Sequence, residues 1–419
     1  MNKAQGQIHF MQALKDRDIL YFLSSVGFFT LASRALIVVI GFQIYQITHS
    51  ALSLGWLGLI EAIPALSLVL VGGWVADHYN RRTILLITRL ASFLCALGLV
   101  ILSVVNAHNS ILGFYVVIFI AGIARAFADP ANTAFEAQVV PKSLIVNAAS
   151  WISSVWMSGW IIGPAIIGFV FDSFGALGSY ILISTWFFIS FISTLMIGPK
   201  PQFKPQQKEP MLKSMGMGWK FIFKNPALLG AMSLDLFAVL FGGAISLLPI
   251  FANDILHVGA KGLGLLNAAP SVGALVIMLI STHYAPRIIN HAGRNLLLTV
   301  LGFGISILIF AFSKNFWFSM GALFFTGIFD GISMVIRRSI VRLLSPDDMR
   351  GRISAASWIF ICSSNELGAF ESGMLAALIG TVPCVAVGGI VTLGVVGLTA
   401  YFAPALRRLR FDPQTMARV

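Results

Sequence analysis

Twelve stretches of this chain are apolar for about 20 residues or more, enough for an α-helix to cross a hydrocarbon layer about 30 Å thick. They fall at 18–47, 52–76, 83–106, 111–135, 143–171, 176–198, 226–254, 262–283, 295–313, 316–343, 353–379 and 381–403. A chain built this way has little choice of fold. Inside lipid every backbone N–H and C=O must be bonded within the protein, so only helices and closed barrels can span. The runs lack the ten-residue alternation of barrel strands and the chain holds 39 glycines, so an all-α membrane protein with twelve transmembrane helices is expected. Only 11% of residues are charged, against about 25% in soluble domains.

Ionisable residues nevertheless stand inside these runs: Arg34, Glu61, Arg125, Asp235, Asp330, Glu366 and Glu371. An unpaired charge near a bilayer centre costs roughly 2.5–3.5 kcal/mol on insertion scales, so such residues face a partner or a watery cavity. A purely structural bundle avoids that cost with leucine. These seven are therefore the candidate substrate- and proton-coupling residues.

The net charge of +12 invites a nucleic-acid reading, but its placement argues against one. Of the 28 Lys and Arg residues, Arg34 and Arg125 lie inside spans, Lys261 and Lys314 fall in outside loops, and the other 24 are assigned to the opposite side. That is the positive-inside pattern, with both termini cytoplasmic. The first 17 residues carry Lys3, Lys15, Asp16, Arg17 and Asp18 and no short apolar run before a cleavage site, so no removable secretory signal is expected. Cys95, Cys362 and Cys384 read as small buried hydrophobes. Histidines sit at helix ends and in loops, so no metal site and no cofactor are expected. With no His-Glu-x-x-His pair and no serine elbow, an enzyme is not expected either.

Residues 199–225 break the pattern with four prolines and six lysines. They divide the chain into an N-terminal six-helix bundle (1–198), a cytoplasmic central loop (199–225) and a C-terminal six-helix bundle with a short cytoplasmic tail (226–419). Residues 211–223 suit a short amphipathic helix on the membrane surface. The halves also resemble one another. Asn80-Arg81-Arg82-Thr83-Ile84-Leu85 follows the second run and Gly293-Arg294-Asn295-Leu296-Leu297-Leu298 the eighth, while Ala148-Ala149-Ser150-Trp151 opens the fifth and Ala355-Ala356-Ser357-Trp358 the eleventh. Repeated halves around a midplane site are the usual build of secondary transporters.

The loop holding Gly73, Asp77, Asn80, Arg81 and Arg82 resembles the signature loop G-x-L-x-D-R-x-G-R-R-x-x-L of the major facilitator superfamily. In that reading Gly73 permits close helix contact, Asp77 closes the cytoplasmic end of its helix, Asn80 takes a left-handed turn in place of the usual glycine, and Arg81 and Arg82 hold the loop inside. His78 departs from the family's basic residue, and Asn290 stands where a second-half Asp77 would be. The fifth run holds Gly159, Gly163, Pro164 and Gly168, which resembles the G-x-x-x-G-P-x-x-x-G stretch of the drug–proton antiporter branches; its alternative reading is generic small-residue packing. The stretches 233–252, 262–270, 345–352 and 365–373 resemble bacterial exporters of the enterobactin and macrolide-efflux group. The resemblance implies outward transport of a siderophore or drug-like amphiphile.

Depth along the helices sorts the buried charges. Arg34 lies about 18 Å and Glu61 about 14 Å from the outer ends of their runs, which makes them candidate partners, while Arg125 and Asp330 each lie about 21 Å in. Arg cannot release its proton, so Arg34 or Arg125 suits an anionic group or a carboxylate. Only Glu61, Asp235, Asp330, Glu366 or Glu371 can carry a coupling proton, and Asp235 and Glu366 suit that best if Arg34 holds Glu61 ionised. Glu366 and Glu371 stand about 140° apart round a helix and do not share one cavity. Most of the tryptophans read as interfacial anchors. The expected partners are a small-molecule substrate, protons and the lipid bilayer, with no nucleic acid, for a monomer that can feed other export components. The function expected is proton-coupled export by alternating access in a bacterial cytoplasmic membrane. An importer or symporter, or a lipid flippase, on the same fold is the alternative.

Overall fold

The computed structural model describes residues 16–105, 111–141, 144–201, 211–346 and 349–411. Expectations that concern Lys3, Lys15, Lys142, the proline-rich stretch 202–210, Asp347, Asp348 and residues 412–419 lie outside them, as do the side chains of Trp358 and Cys362. Within them the chain is helical: α1 (Arg17–Thr48), α2 (Ala51–His78), α3 (Arg81–Val104), α4 (Ile111–Val139), α5 (Ile145–Met196), α6 (Met211–Lys224), α7 (Pro226–Phe241), α8 (Gly259–Asn290), α9 (Ala292–Phe312), α10 (Phe316–Leu344), α11 (Arg350–Ile379), α12 (Thr381–Phe402) and a last turn, α13 (Pro404–Arg407). Among the described residues, ten helices are long and apolar enough to cross a membrane. The stretch after α7 continues through a 3₁₀ turn at Ala244–Leu247 and a π turn at Phe251–Ile255.

Helix α5 is 52 residues long and would extend about 78 Å if straight. It is not straight. Gly175 has φ 66° and ψ −166°, a backbone state open to glycine, which has no Cβ to clash. The contacts with α1 show the reversal. Gly27 meets Val155, Thr30 meets Gly159 and Phe42 meets Phe171, rising together along both chains. Ser25 then bonds Thr194, Phe29 packs on Phe187 and Gln43 accepts from the Tyr180 hydroxyl, so the second arm runs back. This one helical run therefore holds two of the expected apolar stretches, 143–171 and 176–198. Helix α11, 30 residues long, covers the stretch at 353–379.

Two compact units emerge, one of Met1–Thr48 and Ile60–Lys208, the other of His49–Leu59 and Glu209–Val419. The first buries Ile19, Phe22, Ala76, Leu85, Phe135 and Val139 in one cluster. Between α1 and the second arm of α5, the hydroxyls of Ser24, Ser25, Ser190, Ser193 and Thr194 bond one another or backbone, a polar seam of the kind that joins helices in lipid. The second unit buries Leu228, Leu234, Leu296, Ile336, Ile340 and Ile353 together with Ile222. Ile222 belongs to α6, so the amphipathic helix expected in the central loop forms and sinks one residue into this core, leaving Lys220, Phe223 and Lys224 exposed. Asn225 caps α7 by accepting from the amides of Ala227 and Leu228, each at 3.2 Å.

Candidate functional site

In the first unit α2 and α4 cross tightly. A Cβ on Gly122 would lie 2.7 Å from the Glu61 carbonyl oxygen and 2.8 Å from the Pro64 ring. One turn along α4, Arg125 Nη1 reaches Glu61 Oε1 at 2.5 Å, and its Nε lies 3.9 Å from Asp129. Depth alone suggests Arg34 as the partner of Glu61, but this short contact is made by Arg125. The crossing brings Arg125 alongside Glu61, whereas α1 lies against α5. There Gly159 and Gly163 leave no side chain, and the Arg34 guanidinium carbon lies over Trp160, 3.3 Å from the ring centre. A guanidinium over an indole face is attracted by the ring's quadrupole.

Arg89, counted above with the cytoplasmic side, is a third arginine within an apolar run of this unit. It lies inside α3 and is 2% exposed. Its guanidinium sits 3.4 Å over Phe29 and donates to Asn132 Oδ1 at 3.3 Å, while Nε and Nη1 have no hydrogen-bond partner among the described residues.

In the second unit Arg337, on α10, lies between two carboxylates. Its Nη1 pairs with Asp235 on α7, its Nη2 lies 3.3 Å from Asp330 on its own helix, and its Nε donates to the Ser333 carbonyl. Asp235, expected to suit a coupling proton, thus has a basic neighbour in the fold. The Asp235 side chain is 9% exposed and that of Asp330 42%. On α11, Glu371 accepts from the Ser372 hydroxyl at 3.4 Å, and Glu366 is half-buried. Both arginines that reasoning from the sequence passed over left signals. Arg89 is the seventh residue of the apolar run 83–106. Arg337 follows Asp330 by seven residues, two helical turns, on one face of one helix.

The signature loop is built differently from expectation at Asn80. Asn80 is not left-handed: at φ −65° and ψ 113° it caps α3, its Oδ1 accepting from the amides of Arg82 (3.0 Å) and Thr83 (3.4 Å). A capping side chain satisfies amides the helix start leaves open, which suits asparagine better than glycine does. At Gly72, beside Gly73, a Cβ would overlap the Ala126 backbone. Arg81 donates to the carbonyls of Ala76 (3.0 Å) and Ala134 (3.2 Å) and lies 3.8 Å from Asp77, and Arg82 donates to the Leu195 carbonyl at 2.7 Å. The loop thus ties together the ends of α2, α4 and α5. Its second-half copy does other work. His291 gives α9 no side-chain cap, Gly293 lies against the Leu406 backbone, and the Gly293 amide donates to Leu409.

In the motif of α5, a Cβ on Gly159 would lie 2.9 Å from Thr30 and one on Gly163 would lie 2.7 Å from the Leu31 carbonyl. Pro164 and Gly168 are buried beside them. These residues set the distance between α1 and α5.

Long apolar helices whose tight crossings carry charged side chains define a multi-pass membrane protein of the transporter class. The chain belongs to the Major Facilitator Superfamily, whose family model matches residues 20–369. It is 25% identical over 414 residues to the enterobactin exporter EntS of Escherichia coli O1:K1, covering 99% of this chain and 98% of the relative. It is likewise 25% identical over 387 residues to the enterobactin exporter EntS of Citrobacter koseri, covering 92% of each. Among solved structures, a POT family transporter in complex with a thioalcohol-conjugated peptide matches with a TM-score of 0.74 at 12% identity, over 93% of this chain and 96% of that one. The nucleoside transporter NupG matches with 0.72 at 14% identity, over 93% of this chain and all of that one. A bacterial homologue of the human lysosomal transporter Spinster matches with 0.70 at 15% identity, over 95% and 99%. These structures share the fold.

Proposed function

We propose that the protein exports a small amphipathic molecule, a siderophore or drug-like compound, from the cytoplasm across a bacterial inner membrane in exchange for protons. The observation that carries this reading is the nearly end-to-end likeness to enterobactin exporters. The chain crosses the membrane twelve times, counting the two arms of α5 separately and including α11, with both termini cytoplasmic. Two six-helix domains, 1–198 and 226–419, joined by the cytoplasmic segment 199–225, rock about a central site. Arg34 and Arg125 serve an anionic group of the cargo or a carboxylate, and Asp235, Asp330, Glu366 and Glu371 are the acids available to protons. The signature loop, with Gly73, Asp77, Asn80, Arg81 and Arg82, forms the cytoplasmic gate, and Gly159, Gly163, Pro164 and Gly168 let α5 pivot on α1. Inward movement of one positive charge supplies about 2.3 kcal/mol per 100 mV of membrane potential, and a pH gradient adds to it.

The test is uptake of enterobactin into inside-out vesicles containing the protein. Accumulation that collapses when both the pH gradient and the potential are dissipated supports proton-coupled export. Accumulation indifferent to both removes the coupling, and cells that lose internal enterobactin when the protein is deleted would instead be using an importer.

A further inference from the structure

The two units repeat one helix crossing. In the first, Gly122 of α4 packs on Pro64 of α2; in the second, Gly327 of α10 packs on the backbone of Pro270 of α8. The flanking sequences agree, Gly58-Leu59-Ile60-Glu61-Ala62-Ile63-Pro64 against Gly264-Leu265-Leu266-Asn267-Ala268-Ala269-Pro270. Three residues before each proline stand Glu61 and Asn267, and three residues after each glycine stand Arg125 and Asp330. The same two places therefore hold an acid and an arginine in one unit, and an amide and an acid in the other. In the first, Arg125 meets Glu61 at 2.5 Å and lies 3.9 Å from Asp129 of its own helix. In the second, Asn267 turns its amide to the Leu263 carbonyl, and Asp330 draws its cation from Arg337, an arginine that Asp235 shares.

From this mismatch we infer that Asp330 carries the coupling proton, that Arg337 is its positioning residue, and that Glu61–Arg125 is a strut of constant charge. The inference rests on the antiport reading above and assigns residues to it. Among the described residues, Asp330 pairs with Arg337 of its own helix and, through that arginine, with Asp235 of α7; Arg338 is the next residue along α10, α8 offers the uncharged Asn267 at the matching register, Arg294 lies at the start of α9, and the acids of α11 are Glu366 and Glu371. A proton taken from water forms an O–H bond on an Asp330 carboxylate oxygen, and Arg337 is then held by Asp235 alone. When the proton leaves to water on the other side, that bond breaks and Arg337 again bridges both acids. Asp330 is the more open of the two acids and has the longer contact, so it exchanges protons while Asp235 keeps the arginine in place.

The experiment uses the full chain in proteoliposomes with enterobactin as probe, comparing uptake driven by an imposed pH gradient with gradient-free exchange of labelled for unlabelled probe. Asp330→Asn is expected to lower driven uptake more than tenfold while exchange falls by about threefold or less, and Asp330→Glu to recover driven uptake. Arg337→Lys shifts the pH at which driven uptake is half-maximal. Glu61→Gln and Arg125→Gln each weaken both modes, and Glu61→Arg combined with Arg125→Glu recovers at least about a third of both. Wild-type protein without driven uptake overturns the antiport reading and this assignment with it. Driven uptake that survives Asp330→Asn overturns the assignment alone, as does a charge swap that restores exchange without driven uptake.

Discussion

The charged residues of the two units solve the same problem in different ways. At the α2–α4 crossing, acid and arginine come from different helices and meet in one short contact, with Asp129 as a distant second acid. On α10 one arginine serves two acids, one of them from α7. A closed pair in a low-dielectric site is stable and inert. An arginine shared by two carboxylates holds one negative charge more than it can match, and that surplus is what a proton can neutralise. The rest of each unit deepens the contrast. Within its spans the first unit adds Arg34 and Arg89 to Arg125, and the second adds Glu366 and Glu371 to its two aspartates.

Removing the shared arginine should be the largest single change. Arg337→Ala leaves Asp235 buried without its cation, and is expected to cost about 3–5 kcal/mol, read as a fall in the melting temperature of the detergent-solubilised protein. Asp235→Asn combined with Arg337→Gln should recover most of that loss. If the double variant melts no higher than Arg337→Ala, the damage lies in packing and the contrast with Glu61–Arg125 fails.

The equivalence of the crossings can be broken at their glycines. Gly122→Val and Gly327→Val each drive a side chain into the facing helix at Pro64 or Pro270, and each should cost about 1–3 kcal/mol. Similar losses by thermal melting would show that both halves depend on the same close approach. A tolerated valine at one of them would mean that the helices there have room to separate.

The smallest effect concerns the loop whose copies have diverged. Asn80→Ala should lose about 1 kcal/mol, Asn80→Gly a few tenths and Asn80→Asp close to nothing, as for a capping residue. A left-handed turn would give a different order, with glycine the best of the four. The same melting experiment therefore decides between a cap and a turn.

Much of this architecture was legible in the sequence. The apolar runs fall on helices, two of them on the arms of α5. The loop after α2 and the group at 365–373 pointed to the superfamily. The charged sites were legible one residue at a time but not as pairs. Arg89 and Arg337 were counted with the cytoplasmic lysines and arginines because each lies within a few turns of a helix end, where an arginine that reaches water is ordinary. Asn80 was read as a turn residue because the motif has glycine there, and a cap and a turn draw on the same residue type.

What the chain determined by itself is position along a helix: at about 1.5 Å per residue, the distance of Arg34, Glu61, Arg125 or Asp330 from the end of its run follows from counting. Only the tertiary structure decided azimuth and neighbours. Glu61 meets Arg125 because Gly122 lets α4 press against Pro64, and Asp235 meets Arg337 because α10 turns that face toward α7. Helices of similar hydrophobicity all round carry little stripe to announce which way they turn; in lipid, close backbone contact at small residues does the orienting, and that requires both partners to be in place.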